Sequence, residues 1–328
     1  MYSPSDLISE SIMRTLILTH ADTDGICSGA LALAANKSAT VYFTSPVAVI
    51  DEIKKAGCYD QIIICDIAIN IATAESLKKI VNSLAAERDL IYIDHHPLPD
   101  GFSAPWLIHN QNASGSLLTF SHFRDVLDPD MSRVAMYGAI ADFRDDTPLA
   151  NELVHRWDKR SLYYYSGTLS QGIEMERKNF DYKRYLVLGL SKNIIPTKLG
   201  DLVKNAVIAS NLEEELRTRV EDEVVRLKNL TYVINPEGFL AKAAIYARIY
   251  GNTPVGLAAE YRENHHAYDI SVRSASDINL NRLLNDSAVK FGGHGGGHPQ
   301  AGGGRIPEDN LIDFLHDLDA DITREISF

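Results

Sequence analysis

The chain has 328 residues, 45% hydrophobic and 23% charged, with 44 Asp and Glu against 32 Lys and Arg and a formal net charge of -12. That length suits two domains of roughly 100–200 residues each, and the apolar content excludes a disordered chain. An acidic balance with no basic stripe excludes tracking of long nucleic acid by phosphate neutralisation alone, so an anionic substrate must be short or be met by concentrated cations. No apolar run approaches the roughly 18 residues of a membrane span. Met1-Tyr2-Ser3-Pro4-Ser5-Asp6 lacks the basic start of a secretory signal, so no membrane association and a cytoplasmic location are expected. Cys27, Cys58 and Cys65 are odd in number and show no Cys-x-x-Cys spacing, which argues against a disulfide framework or a thiolate zinc site.

In chain order, Thr15–Thr19 is a β-prone run and Gly25–Asn36 reads as a helix. Thr40–Phe43 is a strand, Val49–Ala56 a helix, Gln61–Cys65 a strand, Ile71–Arg88 a helix and Leu90–Ile93 a strand. Apolar strands separated by helix-length segments predict a parallel sheet covered on both faces, with its chemistry at the carboxyl edge. Ser114–Leu190 is expected to be mostly helical. The charged stretch from Thr197 to Leu230 reads as one or two helices linking two halves. Beyond it, Ala243–Ala247 and Tyr268–Val272 look like strands, followed by a glycine-rich loop. The expected organisation is therefore a first domain over 1–195, a helical linker over 196–230 and a smaller α/β domain over 231–328. The active site is expected in the cleft between the domains.

Each predicted strand of the first sheet ends in polar residues: His20-Ala21-Asp22-Thr23-Asp24-Gly25, then Asp66, then Asp94-His95-His96. One Asp after a strand is ordinarily the N-cap of the next helix. Three such endings on one edge gather carboxylates that would repel one another unless cations hold them. Asp and His donors suit Mn²⁺, Fe²⁺, Co²⁺ or Zn²⁺, and with no cysteine in the set Mn²⁺ is favoured. Adjacent after a strand, His95 and His96 are expected to point apart.

These motifs resemble the first three of the DHH phosphoesterases, and Asp142 in Gly138-Ala139-Ile140-Ala141-Asp142-Phe143 resembles the fourth. Gly292 to Gly302, with His294 and His298, is similar to the glycine signature of the DHH-associated C-terminal domain. The layout resembles that of RecJ-like exonucleases, nano-RNases and dinucleotide phosphodiesterases, which implies that 1–195 is the catalytic, metal-binding domain and 231–328 the substrate-binding one. The resemblance implies two divalent ions, Mn²⁺ first with Mg²⁺ or Co²⁺ as alternatives. His20 and Asp22 would hold one ion, Asp24, His95 and Asp142 the other, and Asp66 would bridge them. Asp94 would orient a neighbouring imidazole, and His96 would face the scissile phosphate. Asp145 and Asp146 are rival ligands to Asp142. Arg273, Ser274, His294, Gly296, Gly297 and His298 would bind the far end of the substrate. Independently, eight of the 21 glycines fall in 292–304, a composition that lets backbone N–H groups approach an anion.

The activity implied is a Mn²⁺-dependent hydrolase, an exonuclease or oligoribonuclease acting from an end of short single-stranded RNA or DNA. Alternatives are a phosphodiesterase for cyclic or linear dinucleotides or phosphorylated nucleosides and, from another class, a RecJ-like scaffold in a replication complex. A replication or repair partner is compatible with catalysis. The remaining candidates are bland: His265-His266 reads as a surface turn, Tyr163-Tyr164-Tyr165, Tyr182 and Tyr185 as packing rather than base stacking, and Cys27 as a small buried apolar side chain.

Overall fold

Five runs rich in β-branched and aromatic residues become neighbouring strands of one sheet. The computed structural model describes residues 13–326; the N-terminal stretch read for a signal lies outside them. The chain divides into two compact units, 1–208 and 209–328.

The first unit runs β1 (Thr15–Thr19), α1 (Thr23–Ala35), β2 (Thr40–Phe43), α2 (Val49–Lys55), β3 (Gln61–Cys65), α3 (Ala74–Ala85), β4 (Asp89–Asp94) and β5 (Leu107–His109). Five helices follow: α4 (Gly115–His122), α5 (Ser132–Ala141), α6 (Pro148–Val154), α7 (Lys159–Glu174) and α8 (Phe180–Ser191). The sheet order is β2-β1-β3-β4-β5, and all pairs are parallel. Alternate residues serve opposite faces, as strand geometry requires. Ile17, Ile63, Cys65 and Ile93 join a core with α1, α4, α5, α7 and α8, while Leu16, Leu18, Ile62, Ile64 and Tyr92 pack under α2 and α3. Thr19 pairs with Cys65, and Cys65 with Ile93. The strands therefore release His20, Asp66 and Asp94 side by side at one edge.

Helix α9 (Leu202–Glu223) contains the division between the units. The second unit continues with β6 (Val225–Arg226), β7 (Leu230–Ile234), α10 (Leu240–Gly251), β8 (Val255–Arg262), β9 (Ala267–Ser274), α11 (Leu280–Lys290), β10 (His294–Gly297), β11 (Ala301–Pro307) and α12 (Leu311–Ile326). Its sheet order is β10-β11-β9-β8-β7-β6, parallel only between β7 and β8, which α10 connects. Leu257 and Val272 face α11 and α12, and Ala258 faces α10 and the C-terminal part of α9.

Three expectations need correction. Ala243–Ala247 is the middle of α10, not a strand: alanine is the best helix former, and Ala243, Ala244 and Ala247 share one buried helical face. The 196–230 segment is not helical throughout, since β6 begins at Val225 and pairs with β7. The glycine-rich stretch is an antiparallel hairpin, β10–β11, in which Gly295 faces Gly304, Gly296 faces Gly303 and Gly297 faces Gly302. Glycine has no β-propensity to announce a strand; what places it here is space. A Cβ at Gly302 would lie 2.3 Å from Leu284 Cδ1 on α11.

Candidate metal centre

The turn after β1 is shaped by its glycine and its caps. A Cβ at Gly25 would come within 2.3 Å of the His20 carbonyl oxygen, so only glycine lets α1 start this tightly. Asp22 is the N-cap of α1: its Oδ1 accepts from Gly25 N at 2.9 Å, as capping predicts. Its other oxygen lies 2.7 Å from His20 Nδ1. The crowded surroundings oppose Asp22 ionisation, but the His20 imidazole and the Gly25 N–H outweigh them and hold the carboxyl below the usual range. Asp22 in turn raises the His20 pKa. Capping and clustering are thus two uses of one side chain.

Asp24, in the first turn of α1, is buried, and both its oxygens accept backbone hydrogen bonds. Gly115 N donates to Oδ2 at 2.7 Å and Ser116 N to Oδ1 at 3.1 Å. These are the first N–H groups of α4, the positive end of a helix. Two glycines make room: a Cβ at Gly138 would stand 2.3 Å from Asp24 Oδ1, and one at Gly115 would stand 2.7 Å from Asp66 Cβ. Asp66 itself follows β3 in the left-handed region at φ +57°, an uncommon conformation for a non-glycine residue. It is 2% exposed, and neither carboxylate oxygen has a hydrogen-bond partner. Burial, then Asp24, Asp22, Asp94 and Asp142, push its pKa well up.

His95 Nε2 lies 3.3 Å from Asp66 Oδ1, 3.6 Å from Asp142 Oδ2 and 3.9 Å from Asp24 Oδ2. Burial lowers its pKa. Asp142 caps the end of α5, and burial together with Asp24 and Asp22 pushes its carboxyl up to about 8. Among the described residues, three groups place their ligand atoms within 4.8 Å of one another: His20, Asp22 and Asp66; Asp24, His95 and Asp142; Asp66, His95 and His96. Asp145 and Asp146 belong to none of these groups, and Asp145 accepts from the Tyr163 hydroxyl.

His96 Nδ1 meets Asp94 Oδ1 at 2.8 Å, and that carboxylate overrides burial to raise the His96 pKa. The two adjacent histidines do not point apart: their ring centroids are 4.6 Å from each other. Strand β4 ends at Asp94, so the alternation that would separate them has already stopped.

Sequence reasoning missed several supports. Gly115 and Ser116 hold Asp24. The buried Lys183 donates to the Ala21 carbonyl at 2.7 Å and fixes the first turn, and His109 Nε2 reaches the His96 carbonyl oxygen at 2.7 Å. The serine and glycine at the head of an apolar helix, Ser114-Gly115-Ser116, were the available signal. Cys27 is buried and its thiol pKa is pushed well up by burial.

In the second unit, Arg273 on β9 lies opposite Ala301. Its Nη1 donates to Ser271 Oγ at 3.1 Å, to the Val272 carbonyl at 2.9 Å and to that of Gly302 at 3.3 Å, and burial lowers its pKa. Ser274 Oγ accepts from Ser276 N at 3.1 Å. His294 is exposed and pairs with Arg305 in the hairpin; His298 opens its turn, donating from N to the Ala301 carbonyl at 2.8 Å. Gly297 N donates to Asn281 Oδ1 at 3.0 Å. Gly296 sits beside the same asparagine. Paired strands replace the concave loop expected of an anion nest. His265 and His266 are exposed in the β8–β9 turn.

The DHH family N-terminal domain matches residues 14–142, and the DHHA1 domain matches residues 235–324. The chain belongs to the DHH family. Members of this family are metal-dependent phosphoesterases. The structure of a DHH domain described as belonging to a family of ribosomal proteins aligns with TM-score 0.72 at 14% identity, covering 95% of this chain and 87% of that one. RecJ from Thermus thermophilus in complex with Mn²⁺ aligns with TM-score 0.69 at 17% identity; this DHH chain is covered to 95% but spans only 52% of RecJ. The pGpG-specific phosphodiesterase PggH from Vibrio cholerae aligns with TM-score 0.58 at 16% identity over 94% of this chain and 99% of its own. No curated protein sequence matches the chain. Among the described residues no helix is long and apolar enough to cross a membrane.

The donor atoms fit divalent ions. Buried oxygens and imidazole nitrogens with no sulfur are the ligands of Mn²⁺ and its neighbours. A buried carboxylate with both oxygens unbonded is costly unless a cation meets it.

Proposed function

We propose that this protein is a Mn²⁺-dependent phosphodiesterase that hydrolyses short single-stranded oligonucleotides from an end. The observation that carries the reading is Asp66, buried and without hydrogen bonds between the His20–Asp22 pair and the Asp24–His95–Asp142 group. His20 and Asp22 would hold one ion, Asp24, His95 and Asp142 the second, and Asp66 both. When bound, the ions would lower the pKa of a water and neutralise charge developing on the phosphate.

The chain's own residues do the positioning. Asp22 fixes His20 through Nδ1, which leaves Nε2 as the ligand atom. The head of α4 fixes Asp24. Asp94 holds His96 through Nδ1 and raises its pKa, and His96 would deliver a proton from Nε2 to the leaving oxygen. Arg273, Ser274, Gly296, Gly297, His294 and His298 would engage the substrate's far phosphate or terminal nucleotide. A net charge of -12 favours a short substrate, because a few ions and basic groups suffice for it.

A second reading, hydrolysis of linear dinucleotides, draws support from PggH, which matches over nearly its whole length and whose described substrate is pGpG. The test is hydrolysis of end-labelled RNA and DNA length series, with diadenylate and pGpG, in Mn²⁺, Mg²⁺ and Co²⁺. Mononucleotide release from one end, fastest in Mn²⁺ and on the shortest chains, is expected. Turnover confined to dinucleotides selects the second reading, and internal cleavage or no turnover contradicts both.

A further inference from the structure

Helix α5 ends one residue before Asp142, and the chain leaves it in a Schellman turn. Phe143 N donates to the Ile140 carbonyl at 3.2 Å and Arg144 N to that of Ala139 at 2.8 Å. The residue after the cap in this motif adopts the left-handed conformation and is ordinarily glycine. Here it is Phe143, with φ +55°. A bulky L-residue bears a steric cost in that region. Packing does not offset it, because Phe143 is 84% exposed, the most exposed large apolar residue among those described. Glycine would close the same turn without the clash and without apolar surface in water. The ring is therefore held outward, beside Asp142, for something the fold does not supply.

We infer that Phe143 is a substrate-binding residue whose ring stacks on a nucleobase of the strand whose phosphate meets the carboxylate cluster. This rests on the phosphodiesterase reading above. Consecutive Cα atoms are about 3.8 Å apart, so the ring is anchored one residue from the cluster, on the scale that separates a base from its own phosphate. Stacking on an aromatic ring tolerates any base, which suits an enzyme without sequence readout. The same turn continues to Asp145, which accepts from the hydroxyl of half-exposed Tyr163, and Lys159 Nζ stands 5.4 Å over the Tyr163 ring. An aromatic with an attendant cation is a feature of single-strand grooves.

The test compares diadenylate with its two singly abasic analogues, for wild type, Phe143→Ala and Phe143→Trp. Phe143→Ala should lower kcat/KM on diadenylate about 5- to 150-fold, mainly through KM, the range of one lost base stack. For one abasic analogue the ratio to diadenylate should rise toward one, and Phe143→Trp should restore the wild-type pattern. Phe143→Gly should also raise the melting temperature, by about 1–3 °C. Equal losses on all three substrates, no loss at all, or a melting temperature that falls on Phe143→Gly would overturn the stacking role while leaving the phosphodiesterase reading intact. A wild type inert on all three substrates, on pGpG and on the end-labelled length series overturns both.

Discussion

At the carboxyl edge of the first sheet, chemistry is made by crowding side chains: His20, Asp22, Asp24, Asp66, His95, His96 and Asp142 fall within ligand distance of one another in overlapping groups. The β10–β11 hairpin of the second sheet does the opposite. There Gly295, Gly296 and Gly297 face Gly304, Gly303 and Gly302, and the ladder is bare backbone laid against α11. The first region is unfavourable for folding and is kept by its neighbours' caps and glycines. The second is a packing solution, close because nothing projects. A substitution that removes a side chain should therefore change function in the first region, and one that adds a side chain should change stability in the second.

The largest effect that can break this contrast lies at the histidine pair. His96→Ala should lower kcat about 10²–10⁴-fold, the range for a lost general acid, with metal content near normal and no rescue by excess Mn²⁺. His95→Ala should weaken Mn²⁺ affinity and recover in part as Mn²⁺ is raised. Because the two rings lie 4.6 Å apart and His96 also falls within reach of Asp66, an exchange of these outcomes in a Mn²⁺ titration would exchange the two roles.

The second region is tested by overfilling. Gly302→Ala brings a methyl to about the position where Leu284 Cδ1 already lies, 2.3 Å away, and should cost about 1–3 kcal/mol. Chemical denaturation should report that loss, while Mn²⁺ binding by the first unit persists. An unchanged midpoint would mean that α11 yields, and that the bare ladder is not a packing requirement.

These regions also differ in how legible they are. Parallel strands with apolar residues throughout announce themselves, and parallel pairing forces Thr19, Cys65 and Asp94 to end at one edge, so the residues after them can be grouped from sequence. Asp142 could be added only by resemblance, since it ends a helix and no strand leads to it. The supports of Asp24 were only faintly marked, by the Ser114-Gly115-Ser116 helix start, because the donors themselves are backbone N–H groups that any residue provides. In the second unit, alanine carries no periodic signal strong enough to separate α10 from a strand. Glycine carries none at all, and the hairpin is local, held by its pairing with β9 and its close approach to α11.

Proton linkage gives a smaller, graded contrast. Asp142 is pushed up to about 8 and Asp66 is raised, so the ion-free folded chain retains protons that the unfolded chain releases above about pH 4. Stability without ions should fall as pH rises from about 4 to 8. His20 and His96, also raised, add to the fall above about pH 6.5, and His95, lowered, opposes it below that value. Melting temperatures in EDTA should decline across this range, and Mn²⁺ should flatten the decline. A flat profile in EDTA would remove the case for compressed carboxylates. The smallest effect is expected at the β8–β9 turn, where His265 is exposed: His265→Ala should leave Mn²⁺ stoichiometry unchanged and stability within about 0.5 kcal/mol.

Asp66, which would be shared by two ions, is the residue on which the proposed centre depends. The most direct measurement is Mn²⁺ stoichiometry and turnover for wild type and Asp66→Ala under saturating Mn²⁺. Two ions per wild-type chain are predicted, with loss of tight binding and of turnover in a variant that remains folded, because removing a repelled carboxylate can even stabilise the ion-free site. A variant that keeps both ions, or more than about a tenth of the wild-type rate, where tenfold corresponds to about 1.4 kcal/mol, would contradict it.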